Sequence, residues 1–245
     1  MDTRDLSQSK KILFFISEDW YFWSHRRSIA IEAVQRGYDV VLVSRVNKLQ
    51  KDIENLGIKL IPSRLVRRSI NPIIEFRTFF EIIRIYKREK PDLVHHVALK
   101  PILYGTWAAR LTGVSGIVNA FGGLGHLFSS TRIITKLLKN FFVLILRLTL
   151  NSDKTRIIVQ NPVDFQRLIK NKLASEDKIL LIRGAGADLE YFKSTQEPEG
   201  TPVIAYAGRL ILSKGVGDFI LAVEILKSQG FDFQAVLIGT PDPEN

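Results

Sequence analysis

Two hydrophobic patterns alternate along the chain. Short runs rich in apolar residues, at 11–17, 40–43, 58–61, 92–97, 116–120, 156–160 and 179–182, predict strands buried on both faces, as in a parallel sheet. Between them, apolar positions at helical spacing predict helices over 23–36, 48–56, 72–90, 100–111, 131–150 and 162–173. Gly37 and Gly57 end the first two of these, while Pro72 and Asn161-Pro162 open later ones. Strand and helix in alternation imply an α/β fold whose first βαβ unit is right-handed. The expected architecture is a Rossmann-like parallel sheet over 11–193 with helices on both faces, after a disordered 1–10.

A polar, turn-rich linker over 194–201 comes next, with the glycines of Gly184-Ala-Gly186 forming a hinge-like turn before it. Beyond it, 202–245 reads as a strand at 203–207, a turn at Gly208, a helix capped by Ser213 and a second strand at 234–239. Val216, Phe219, Ile220, Val223 and Leu226 give that helix its apolar face. Two parallel strands cannot bury their faces, so the second domain is expected to be an incomplete Rossmann-like unit. The chain shows no internal repeat and no low-complexity segment.

Candidate chemistry collects in the loops that leave strands. Gly208, Arg209 and Lys214 lie between a strand and a helix N-terminus, where free N–H groups and the helix dipole favour an anion. The bland alternative is a pair of solvated loop cations. Phe121-Gly-Gly-Leu-Gly-His-Leu-Phe128 follows a strand and carries Gly122, Gly123 and Gly125, which either let backbone approach a ligand or serve as plain turns. The loop 17–24 has no glycine, so the dinucleotide fingerprint is absent, which argues against an NAD-dependent oxidoreductase. Its aromatics, Trp20 to Trp23, either stack on a sugar or lipid or pack beneath the loop.

Composition narrows the partners. With 46% hydrophobic and 24% charged residues the chain is globular, and the absence of cysteine excludes disulfides and thiolate metal sites. The N-terminus contains acids and lacks an apolar stretch, unlike a signal or transit peptide, so a cytoplasmic location is expected. A net charge of +10 calls for an acidic partner. No nucleic-acid-binding module is recognisable, and none is expected to be bound. Basic residues collect in 64–90 and 132–147, which favours an anionic membrane surface at the inner face of the plasma membrane. The apolar stretch 131–150 carries Arg132, Lys136, Lys139 and Arg147, too many charges for a spanning helix. It is either a core helix or one whose basic face rests on lipid.

Gly208-Arg-Leu followed by Lys214-Gly-Val resembles the signature that opens the donor domain of family-4 retaining glycosyltransferases. Gly184-Ala-Gly-Ala-Asp188 with Phe192, and Lys90-Pro-Asp-Leu-Val-His95, resemble further segments of that family, so the resemblance runs from Lys11 onward. Within it, the nearest type is the bacterial enzymes that extend lipid-linked sugars for surface polysaccharide. The resemblance implies a GT-B fold and transfer of a sugar, with retention, from a nucleoside-diphosphate sugar to a lipid-linked or polysaccharide hydroxyl. It implies no cofactor and no metal. Gly208, Arg209 and Lys214 would hold the donor diphosphate, and Gly122, Gly123 and Gly125 would shape the acceptor cleft. His25 and Lys100 would contact sugar or phosphate, with Lys100 after its strand facing the acceptor phosphate. His126 would stand near the reacting sugar, although it comes later in its loop than the family's pattern has it. The family's paired donor carboxylates would lie beyond Asn245, so a truncated chain of little or no activity is expected. The rivals are a non-catalytic module binding a glycan lipid or membrane, and an epimerase acting on a sugar nucleotide.

Overall fold

The computed structural model describes residues 9–67, 69–124, 133–187 and 189–241. It divides into two compact units, Met1–Ala187 and Asp188–Asn245. In the first unit β1 (Lys11–Glu18), β2 (Asp39–Arg45), β3 (Lys59–Pro62), β4 (Leu93–Val97), β5 (Gly116–Phe121), β6 (Thr155–Val159) and β7 (Ile179–Leu181) form one sheet. Every neighbouring pair is parallel, in the order β3-β2-β1-β4-β5-β6-β7. All seven strands expected from the apolar runs are present, because a parallel strand covered on both faces needs apolar residues at successive positions.

Alternate residues of the central strands supply two cores. Phe14, Ile16, Val40 and Leu42 pack with Phe22, Ala30 and Ile53, which come from α1 (Asp19–His25), α2 (Arg27–Gln35) and α3 (Gln50–Glu54). On the other face Leu13, Phe15, Val41 and Val94 pack with Ile82, Ile85 and Ala108, from α4 (Pro72–Glu89) and α5 (Leu99–Thr112). A third cluster joins Ile157 and Val159 to Leu146 and Leu168, from α6 (Ile133–Leu150) and α7 (Pro162–Lys170). The chain therefore leaves β1 toward one face and β4 toward the other. Between these two strands the order of the sheet reverses, which opens a crevice at their carboxyl ends.

Several boundaries follow local chemistry that the sequence displays. Asn71 caps α4, its Oδ1 accepting the Ile73 N–H at 3.0 Å, with Pro72 in the first turn. Asn161 caps α7 through the Asp164 N–H at 2.8 Å. Other boundaries differ. The helix expected over 23–36 starts at Asp19 and breaks at Arg26, whose φ of −133° and ψ of −6° separate α1 from α2. The cause is tertiary: buried Asp19 accepts the Asn47 backbone N–H at 2.6 Å and the Asn47 side chain at 2.9 Å, which anchors the helix start to the chain after β2. Burial alone would raise the Asp19 carboxyl, but these bonds outweigh it and hold the group below its ordinary value.

β4 carries two buried histidines that belong to the core. His96 Nδ1 lies 2.8 Å from Asn119 Oδ1, so that nitrogen donates, and Nε2 accepts the Tyr86 hydroxyl at 2.9 Å. Burial pushes His96 down to about 4, against the Asn119 bond. His95, against Phe14 with ring centroids 5.3 Å apart, is pushed down to about 3 by burial and then by the charge of buried Arg26.

The second unit contains β8 (Val203–Ala207), a short 3-10 turn at Leu212–Lys214, α8 (Val216–Ser228) and β9 (Gln234–Ile238). β8 and β9 pair in parallel. The expected Ser213 cap is corrected: Ser213 lies inside the 3-10 turn, and Gly215, with φ of +81°, provides the left-handed step before α8. Apolar side chains of this unit, including Val203, Leu221 and Ile238, remain exposed.

Candidate active site

The crevice at the ends of β1 and β4 is a pocket of about 570 Å³. β1 and α1 contribute Ile16, Ser17, Glu18, Trp20 and Tyr21, and the β4–α5 junction contributes Val97, Ala98 and Leu99. Phe121, Gly122 and Gly123 enter from the end of β5, and Arg67 from the loop before α4. The wall is thus apolar and aromatic, with one carboxylate and one guanidinium, a combination suited to a hydroxyl-rich, anion-bearing ligand.

Each contributor has a local cause. β4 ends at Val97 and α5 begins at Leu99, so Ala98 alone makes the turn, at φ of 77° and ψ of 163°. Its N–H still donates to the Ala120 carbonyl at 3.2 Å, which holds the strained residue against β5. Gly122 stands where a Cβ would come within 3.1 Å of the Tyr21 hydroxyl, so a side chain there would crowd the aromatic wall. The loop is then tied down by the Leu124 N–H, which donates to buried Asp164 Oδ2 at 3.0 Å.

The aromatics of α1 split between the two roles the sequence left open. Trp20 and Tyr21 line the pocket, whereas Phe22 is fully buried and Trp23 packs partly buried under Arg27. His25 is not in the wall. It stacks on Tyr21 with ring centroids 4.3 Å apart, and its Nδ1 lies 2.6 Å from Ser24 Oγ, so it reaches the pocket only through the tyrosine it supports.

Lys100 is turned to another task. Its ammonium donates to the carbonyls of Val66 (2.9 Å) and Ser69 (2.6 Å) and to Glu75 Oε1 (2.8 Å), which uses all three protons. Glu75 also accepts the Tyr104 hydroxyl. The lysine therefore fastens the loop before α4 to α4 itself, and the cation that loop presents to the pocket is Arg67. No sequence signal distinguishes these two cations, since the partners of Lys100 lie far away along the chain. Gly125 and His126 lie outside the described residues, so the structure places neither.

In the second unit Gly208, Arg209 and Lys214 share one loop at the carboxyl end of β8. The Tyr206 hydroxyl lies 3.1 Å from the carbonyls of both Arg209 and Lys214, so its one proton is shared between them and draws the two residues together. Gly208 and Leu210 donate to Ile238 (2.9 Å) and Thr240 (3.1 Å), continuing the contact between β8 and β9. A Cβ at Gly239 would overlap the Gly208 carbonyl oxygen, so this close approach requires glycine. The loop delivers two basic residues to the N-terminus of a 13-residue helix, an arrangement able to meet the charge of a phosphate group. Among the described residues no group of three or more histidine, aspartate or glutamate side chains could hold a metal.

Comparison with known proteins identifies the family and the fold. The family described as "Glycosyl transferase 4-like" matches residues 11–161. A capsular polysaccharide biosynthesis glycosyltransferase, CapM, of Staphylococcus aureus is 25% identical over 224 residues, covering 86% of this chain and 56% of the relative. The N,N'-diacetylbacillosaminyl-diphospho-undecaprenol alpha-1,3-N-acetylgalactosaminyltransferase of Campylobacter jejuni is 23% identical over 233 residues, covering 89% and 60%. The chain thus spans less than two thirds of the length of either relative. Among solved structures, a glycosyltransferase from Rickettsia africae superposes with a TM-score of 0.69 at 20% identity, over 95% of this chain and 61% of that one. Anabaena HepE in complex with UDP and glucose gives 0.66 at 15% identity, over 96% and 62%. At such identities the structures establish a shared fold, the GT-B fold, whose Rossmann-like parallel sheet the first unit carries.

Proposed function

This chain belongs to the glycosyl transferase 4-like family, and on that premise we propose that it serves the transfer of a sugar, with retention, from a nucleoside-diphosphate sugar to a hydroxyl of a lipid-linked or polysaccharide acceptor. The observation that carries the reading is the Gly208–Gly215 loop, where Tyr206 fixes the backbone of Arg209 and Lys214 beside the start of α8. Fixed cations and helix N–H groups stabilise charge that develops on a departing diphosphate, which is what a metal-independent transfer requires. The pocket at the end of β1 and β4 takes the acceptor: Trp20 and Tyr21 offer faces to a sugar, and Arg67 offers a partner to its phosphate. An acceptor on a polyprenyl lipid would be met at the cytoplasmic face of the membrane; the names of the two relatives concern capsular polysaccharide and a diphospho-undecaprenol substrate.

Calorimetry with UDP and GDP tests the donor half. The wild-type chain is expected to bind at least one of them, and Arg209→Ala to weaken that binding by about ten-fold, the worth of one charge-assisted contact. Absence of binding by the wild type, or equal binding by the variant, overturns the assignment and leaves the binding-module alternative.

A further inference from the structure

Glu18 is an acid without a structural employment that matches its place. It ends β1 and precedes α1, at φ of −137° and ψ of 139°, yet its side chain makes no capping hydrogen bond to that helix. Its neighbour Asp19 anchors the segment instead: fully buried, it accepts the Trp20 N–H at 2.7 Å and both the backbone and the side chain of Asn47. The Asn47 amide divides its two protons between the acids, reaching Asp19 Oδ1 at 2.9 Å and Glu18 Oε2 at 3.1 Å. Among the described residues that amide is the one partner of Glu18, and Oε1 has none. A carboxylate kept for folding would be expected to meet one of the chain's 35 lysines and arginines, as Glu75 meets Lys100 and Glu89 meets Lys59. Glu18 instead lines the pocket at the ends of β1 and β4.

The charge there is balanced, although the protein as a whole is not. A net charge of +10 draws any anion toward the surface and cannot tell one from another. The pocket has two charged lining residues among those described, Glu18 from β1 and Arg67 from the loop before α4, one of each sign. Inside an apolar, aromatic wall a carboxylate repels a second anion more strongly than it would in water, while it accepts hydrogen bonds from hydroxyl groups and, more strongly, from an ammonium.

We propose that Glu18 sets the charge preference for the acceptor sugar: the pocket takes a sugar phosphate whose ring carries hydroxyl or amino groups and turns away one whose ring carries a carboxylate, such as a uronic acid. The inference rests on the reading of this pocket as the acceptor site and adds the residue that chooses among acceptors. Arg67 meets the phosphate, which all such ligands share, and Trp20 and Tyr21 offer faces to any of their rings, so these three contribute affinity without discrimination. Glu18 supplies the repulsive element that selectivity requires.

Calorimetry of the full chain at low salt with glucose 1-phosphate, glucosamine 1-phosphate and glucuronic acid 1-phosphate tests this. Each titration is repeated on Arg209→Ala/Lys214→Ala, so that the cationic loop of the second unit does not contribute. The expected order of affinity is amine, hydroxyl, carboxylate, with about ten-fold between the first and the second and again between the second and the third. Glu18→Gln keeps an oxygen for the Asn47 amide and removes the charge, so it should bring the three ligands within about two-fold of one another, chiefly by tighter binding of the uronic acid. Arg67→Gln should weaken all three by about ten-fold and leave their order unchanged. Thermal midpoints of both variants should match the wild type, so that the changes report on contacts and not on folding. A wild type that binds glucuronic acid 1-phosphate as tightly as glucose 1-phosphate, or a Glu18→Gln variant that keeps the wild-type ranking, overturns the inference and leaves the acceptor site standing. No binding of any sugar phosphate overturns the acceptor reading and this inference with it, and neither result bears on nucleotide binding by the second unit.

Discussion

Ala98→Gly is expected to stabilise the first unit. Ala98 occupies φ of 77° and ψ of 163°, a region that is essentially reserved for glycine and costs about 1–3 kcal/mol for other residues. It is exposed, so removing its methyl sacrifices little burial. Glycine is also freer in the unfolded chain, which takes back about 0.5–1 kcal/mol. The net gain is about 1 kcal/mol, or roughly 2–4 °C in midpoint for a domain of this size. The three tryptophans, Trp20, Trp23 and Trp107, all lie in the first unit, so fluorescence during thermal or urea unfolding reports on that unit alone. Ala98→Val gives the complementary test, because a β-branched residue at this φ should lower the midpoint. A glycine variant less stable than wild type, or a neutral valine variant, would show that the turn is not strained and that the β4–α5 junction is held by something else.

Acid should weaken the first unit before its carboxylates titrate. His95 and His96 stay neutral in the fold down to about 3 and about 4, whereas in the unfolded chain they protonate near 6.5. Stability should therefore fall as pH drops below 6.5, by about 1.4 kcal/mol per pH unit for each histidine. His95→Phe should halve that slope, and a urea midpoint that does not change between about pH 6.5 and 5 would refute it. Gly239→Ala should break the contact between the Gly208 loop and the end of β9, seen as faster amide exchange over 203–210 and loss of nucleotide binding; unchanged exchange would contradict the close approach. Lys100→Met should cost about 1–3 kcal/mol and speed exchange in the loop before α4, because two carbonyls and a carboxylate lose their donor. If that loop stays protected, its anchor lies elsewhere.

Strands and two of the helix starts were legible because they depend on neighbours in sequence. A strand buried on both faces shows as an apolar run, and Asn71-Pro72 and Asn161-Pro162 show as helix starts. The glycines after β5 and the cations after β8 were legible as loops at strand ends, where α/β folds bind ligands. What escaped depends on distant partners. The start of α1 is set by Asn47, 28 residues after Asp19. Lys100 looked like a phosphate ligand until its bonds to Val66, Ser69 and Glu75 accounted for its protons.

The order of apolar and polar residues thus determined by itself the α/β class and the parallel strands, and it set glycines and cations in loops at strand ends, since those follow from backbone period and local turn chemistry. Only the tertiary structure decided that Arg67 and not Lys100 faces the pocket, that Tyr21 rather than His25 forms its wall, and that α4 turns phenylalanines outward. Side chains three or four residues apart share a helix face, but whether that face meets a sheet or solvent depends on which segments fold against it.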